Sequence, residues 1–157
     1  MAEGEFALVR HHLEDALQRT GAWVGDHDLY AMLADAAAQQ RDQAALREYA
    51  PLAEETARRY DHTLYQAVAH RAWGVLHWLT GAAPAAEARL NLALALFQQL
   101  ETRWQVGRTL FELGELALAR LEAGTAREYF SRAHTAFEQL GAGRDAARTR
   151  ARLASLG

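Results

Sequence analysis

A set of residues returns at an offset of 40 positions, and no other feature of the chain narrows its fold so far. Ala86, Ala93, Phe97, Gln99, Leu100, Arg108 and Thr109 recur as Ala126, Ala133, Phe137, Gln139, Leu140, Arg148 and Thr149. Gly74 recurs as Gly114, with Ala34 at that place one unit earlier, and Ala53 precedes Ala93 and Ala133. A period of this length belongs to stacked supersecondary units, each burying one face against its neighbour.

Within a unit the apolar residues follow helical spacing. From Trp104 to Arg120 they fall at Leu110, Leu113, Leu116 and Leu118, the stripe of an amphipathic helix. Gly124 is expected to break that helix and Thr125 to cap the next, which aligns Phe130, Ala133, Phe137 and Leu140. Gly141 and Gly143 should end it. The preceding unit has the same plan, from Thr63 to Thr80, a turn at Gly81, and a helix from Pro84 to Leu100. The first unit is looser, at about 28–39 and 43–60, and Pro51 should kink or restart its second helix.

Helices flank the repeats. One over about 5–19 aligns Phe6, Val9, Leu13 and Leu17, and a loop over 20–27 follows it. Another over about 144–156 carries Arg144, Arg148 and Arg152 on a stripe read as the solvated face of a cap, with Ala147, Ala151 and Ala154 turned inward. The expected fold is all-α: an antiparallel helix-pair solenoid of about eight helices. It forms one domain over 1–157, with repeats at about 28–60, 63–100 and 104–140.

Composition agrees and excludes several functions. Alanine occurs 35 times and leucine 23 times, while isoleucine is absent, so helix formers dominate and strand formers are scarce. With no cysteine there is no disulfide framework, thiolate metal site or cysteine nucleophile. With no lysine there is no phosphate-binding GxxxxGK[ST] loop. A net charge of −3 argues against nucleic acid as the partner. No apolar run reaches the roughly 18 residues of a membrane span, and no signal pattern opens the chain, so a cytoplasmic protein is expected.

At the paired helices the sequence resembles the tetratricopeptide repeat. The third unit carries Leu110, Leu113, Gly114 and Ala117 on its first helix, then Ala126, Phe130 and Ala133 on its second. The second unit follows with Trp73, Gly74, Ala86, Leu90 and Ala93. Small residues at the crossing let two helices approach, and large ones fill the grooves beside them. The resemblance covers about 28–156 and is similar to the long-repeat form in bacterial multidomain regulators, where such repeats join a nucleotide-binding module or a cyclase. It is closest over FQQLETRWQVGRTLFELGELALAR.

The resemblance implies a concave groove, formed by the first helix of each unit, that binds a protein or peptide partner. On the family's spacing its residues are Val68, Arg71, Val75, Trp78, Arg108, Phe111, Glu115 and Leu118, joined in the first unit by Asp28, Ala31, Asp35, Ala38 and Gln39. Arg71 and Arg108 would meet an anion, with Trp78 and Phe111 as anchors. Repeats that clamp a chaperone's C-terminal carboxylate use Lys and Asn where this chain has Ala31, Asp35 and Val75, so that specificity is not expected.

Other chemistry finds little footing. His70 and His77 lie seven apart, wider than the four-residue spacing of helical metal pairs, and are read as packing residues. The pairs Glu54 with Glu55 and Glu112 with Glu115 lack a companion base and are read as solvated faces. No enzyme, metal or cofactor is therefore expected. A self-associating structural module and a small-molecule sensor remain the competing readings. Apolar residues of the N-terminal helix point to a homodimer formed there.

Overall fold

The computed structural model describes Leu8, residues 11–15 and residues 26–157. Residues 11–15 are helical, and seven helices follow. These are α1 (Asp26–Gln40), α2 (Gln43–Arg59), α3 (Thr63–Leu79), α4 (Ala83–Gln99), α5 (Arg103–Ala119), α6 (Ala123–Gln139) and α7 (Gly143–Ser155). No strand occurs among the described residues, so the all-α expectation holds. Each of α2 to α6 has 17 residues, and each of α3 to α7 starts 20 after its predecessor. The 40-residue period in the sequence is two such steps.

One connection sets the step. Arg41, Asp61, Gly81, Glu101, Leu121 and Gly141 all have left-handed φ, between 50° and 81°. Each donates its N–H to the carbonyl three residues back, and the next residue donates to the carbonyl five back, a Schellman closure. At the first turn these bonds are Arg41 to Ala38 at 3.2 Å and Asp42 to Ala37 at 3.0 Å. Asp42 then opens α2, its carboxylate accepting from the N–H of Ala45 at 3.0 Å. Three residues thus end one helix and begin the next.

This geometry moves two expected boundaries. Leu121, not Gly124, takes the left-handed position, so α6 has already begun at Ala123 and Gly124 and Thr125 lie in its first turn. Gly143 opens α7 and does not close α6. Pro84 stands at the start of α4 as expected. Helix α2 runs unbroken through Pro51, whose ring faces solvent, where water can satisfy the carbonyl it leaves unpaired.

The helices form two layers, α1, α3, α5 and α7 against α2, α4 and α6, each packing on the next in sequence. In the first layer α1 also packs directly on α3, and α3 touches α5. That layer is the inner side of a curve. A first apolar cluster, around Leu33, Leu46, Tyr49 and Val75, joins α1, α2 and α3. A second, around Leu90, Leu113, Phe130 and Phe137, joins α4 to α7. Phe97, Phe130 and Phe137 are fully buried, each contributing roughly 1.5–3 kcal/mol.

Gly74 and Gly114 are the close crossings the sequence indicated. A Cβ at Gly114 would lie 2.7 Å from Cε1 of Phe130, and one at Gly74 would lie 2.6 Å from Cγ of Leu90. Glycine at both lets each hairpin close against a large side chain.

The ends depart further from expectation. In α7, Ala146 and Thr149 are buried and Leu153 and Leu156 half-buried, while Ala147, Ala151 and Ala154 face solvent. The cause is register: Thr149 continues Thr109, and both hydroxyls bond the carbonyl four residues earlier. At the other end Leu13 packs on the first cluster, Tyr49 donates to Glu14 at 2.8 Å, and Leu8, His11 and His12 are exposed. Phe6, Val9, Leu17 and Trp23, with most of the expected N-terminal helix and loop, lie outside the described residues.

Candidate functional site

The inner face of the curve, built by α1, α3, α5 and α7, carries most of the chain's buried charge. Its centre is Asp35. One carboxylate oxygen accepts from Nη2 of Arg71 at 2.8 Å, and the other from Nη1 of Arg108 at 2.8 Å and Nε2 of Gln39 at 3.0 Å. Arg71 is almost wholly buried, and also donates to Oε1 of Gln105 at 2.6 Å and the hydroxyl of Thr109 at 3.3 Å. Its guanidinium lies over the Phe97 ring, 4.9 Å from the centroid.

Burial alone would raise the Asp35 pKa, but Arg108 and Arg71 outweigh it and hold the carboxyl far below the usual carboxylate range. Burial, then repulsion from Arg108, pulls Arg71 down to about 10, and Asp35 opposes that shift. Arg71 therefore stays charged at neutral pH. A buried cation is tolerated when a countercharge hydrogen-bonds to it, but the same cation left alone costs a great deal.

Further pairs extend the network. Arg41 meets Glu112 at 2.6 Å and lies over the Trp78 ring at 4.6 Å. Arg152 grips Glu115 through Nε at 2.6 Å and Nη2 at 3.0 Å. Trp104 donates to Asp145 at 2.9 Å. Arg148 stacks on Phe111, 4.1 Å from its centroid, and makes no ion pair with the described residues. Beside it lies a cleft of about 20 Å³, lined by Gln39, Arg108, Glu112, Asp145, Arg148 and Thr149, with room for one water.

The eight residues assigned to an open groove divide three ways. Val68, Val75 and Phe111 are core: Val68 packs with Ala67 and Phe97, Val75 with the first cluster, and Phe111 edge-on against Phe130 at 5.3 Å. Arg71, Arg108 and Glu115 are buried in internal ion pairs, so no free anion site forms between Arg71 and Arg108. Trp78 and Leu118 alone are half-exposed. The first-unit residues Ala31 and Ala38 are core, while Asp35 and Gln39 join the network.

One reading of charge changes accordingly. Glu112 and Glu115, expected to be solvated, are buried because Arg41 and Arg152 reach across to them. Arg144, Arg148 and Arg152 are exposed, as expected of a solvated stripe, and Arg148 and Arg152 also reach α5. Sequence reasoning missed Asp35 as the hub, along with Arg41, Gln105 and Thr109. The one available signal was the return of Arg108 and Thr109 as Arg148 and Thr149, since solvated positions need not repeat their polar residues.

His70 and His77 are placed by packing partners. Nδ1 of His70 lies 2.9 Å from Nη1 of Arg89, and His77 stacks on Trp73 at 5.5 Å. Burial and then the Arg89 charge lower the His70 pKa, leaving a neutral ring whose Nδ1 accepts from the guanidinium. Among the described residues no three His, Asp or Glu side chains converge as metal ligands would. None of the helices among them is long and apolar enough to cross a membrane.

On this face Arg148 is exposed and makes no ion pair with the described residues, while Trp78 and Leu118 are half-exposed. Compared with protein-family models and with curated proteins, the chain matches none.

Proposed function

We propose that this chain is a tetratricopeptide-like scaffold that binds an acidic segment of a protein partner across the inner face of α3, α5 and α7. The observation that carries this reading is Arg148. Arg41, Arg71, Arg108 and Arg152 are matched by Asp35, Glu112 and Glu115, whereas Arg148 is held on Phe111 and makes no ion pair or side-chain hydrogen bond with the described residues. Half-exposed Trp78 on α3 and Leu118 on α5 add apolar surface to the same helices. A stacked arginine beside aromatic surface loses little freedom on taking a carboxylate. The resemblance to repeats of bacterial regulators supports a regulatory role in the cytoplasm, without catalysis or a cofactor.

The test is Arg148→Glu. Panning the full chain against a peptide library should enrich acidic sequences, and Arg148→Glu should weaken the best of them at least about tenfold. Its far-UV helical signal should not change. Enrichment of neutral sequences, or affinity kept within twofold, defeats the reading. Reversing Arg71 or Arg108 is a poorer test, since either change breaks the buried network.

Self-association has one observation of its own. Tyr60, Leu100 and Leu140 cap α2, α4 and α6 and stand exposed in register along one edge. A doubled mass in light scattering, lost on Leu100→Glu, would favour a homodimer through that edge over one through the N-terminal helix.

A further inference from the structure

The outer layer contains two grooves in equivalent positions, and they are filled differently. Between α2 and α4, Arg89 bridges the gap: its Nη1 lies 2.6 Å from Oε1 of Glu54 and 2.9 Å from Nδ1 of His70, over the Trp73 ring. Forty residues on, Glu54, Arg89 and His70 are replaced by Leu94, Tyr129 and Leu110. Among the described residues no ion pair joins α4 to α6. A trough of about 530 Å³ lies there, bounded by Gln98 of α4, Val106 of α5, and Ala136 and Gln139 of α6. It continues past Val106 into a second depression of about 410 Å³ that reaches Leu110 and Thr135.

Charge on the rims tells what fits. Arg103 lines the first depression and Arg132 the second; both are exposed, and neither makes an ion pair or side-chain hydrogen bond with the described residues. Glu101 shares the rim with Arg103, so the pair of cations stays in excess. An open trough cannot enclose most of a small molecule, as a typical ligand pocket does. A second copy docking by this same face would set arginines against arginines.

We propose that the α4–α6 trough is a second docking site, which takes an apolar side chain of an acidic polypeptide segment whose carboxylates meet Arg103 and Arg132. Val106 and Ala136 form its floor, and the segment lies along the helices. The site opens between α4 and α6 of the outer layer and shares no lining residue with the cleft beside Arg148, so the two surfaces can be occupied independently.

The experiment uses the full chain with methyl-labelled valine and alanine, titrated with two synthetic peptides. One has leucines flanked by glutamates, and the other has glutamines in place of the glutamates. The acidic peptide should shift the Val106 and Ala136 methyl signals and bind at least about tenfold tighter than its neutral counterpart. Arg103→Glu with Arg132→Glu, both at exposed positions, should abolish that preference. Val106→Gln, which installs the residue found at Gln66 in the other groove, should weaken both peptides. The Trp78 indole signal reports any separate binding on the inner face. The proposal is overturned if the Val106 and Ala136 signals do not move, if both peptides bind alike, or if charge reversal has no effect. It is also overturned if the chain is a dimer that Val106→Gln returns to single mass.

Discussion

The Asp35 carboxylate on α1 and the Arg108 guanidinium on α5 meet at 2.8 Å across the intervening helix α3. The contact ties together three successive helices of the inner layer, because the same carboxylate also holds Arg71 of α3. Side chains two helices apart can meet only if the layer curls inward. The pair therefore marks the curvature of the stack as well as its charge balance.

Replacing Asp35 tests that role. Asp35→Asn keeps the shape but leaves Arg71 and Arg108 facing each other without a countercharge, and should cost about 3–5 kcal/mol in urea unfolding. Adding Arg71→Met removes one of the stranded cations and should restore part of the loss. A penalty under about 1 kcal/mol for Asp35→Asn would mean that the pair is no more than a surface contact.

A second prediction concerns acid. Burial and Arg89 hold the His70 pKa below its usual value, so the unfolded chain binds a proton at this site before the folded chain does. Stability from this group is complete above the unfolded value of about 6.5 and falls as pH drops toward the folded one. Melting curves between about pH 7.5 and about pH 5.5, one unit either side, should show the midpoint falling. His70→Gln should flatten the fall. A midpoint that rises on acidification would contradict a neutral, buried His70.

Much of this fold was legible in the residues, and the site far less. Gly74, Gly114, Phe130 and Phe137 announce where helices cross, because steric fit at a crossing admits few residue types. The left-handed turn was visible only at Gly81 and Gly141. Arg41, Asp61, Glu101 and Leu121 adopt the same φ with no sequence signature, since the tertiary contacts of two well-packed helices override a local preference. The inner face was harder still. Which carboxylate meets which arginine depends on the curvature of the stack, and curvature sums small rotations over several repeats. The resemblance therefore put Arg71 and Arg108 on the inner side of their helices but gave no sign that Asp35, far away in sequence, would neutralise both.

Leu121 offers the sharpest test of the 20-residue step. It is 90% exposed and has φ near 62°, so its side chain contributes little packing while its backbone carries strain. A left-handed L-residue costs roughly 1–2 kcal/mol. Glycine would remove that strain, and part of the gain would be offset by roughly 0.4–1 kcal/mol of extra freedom in the unfolded chain. Leu121→Gly should therefore stabilise by about 0.5–1 kcal/mol, raising the melting midpoint by about 1–4 °C for a domain of this size. Leu121→Ala separates the causes, since alanine removes the exposed leucine but keeps the Cβ that opposes the left-handed region. If glycine and alanine raise the midpoint equally, the benefit comes from losing an exposed apolar side chain, and the turn is not strained. If glycine alone raises it, the connection shared with Gly81 and Gly141 is confirmed as the element that sets the spacing of the helices.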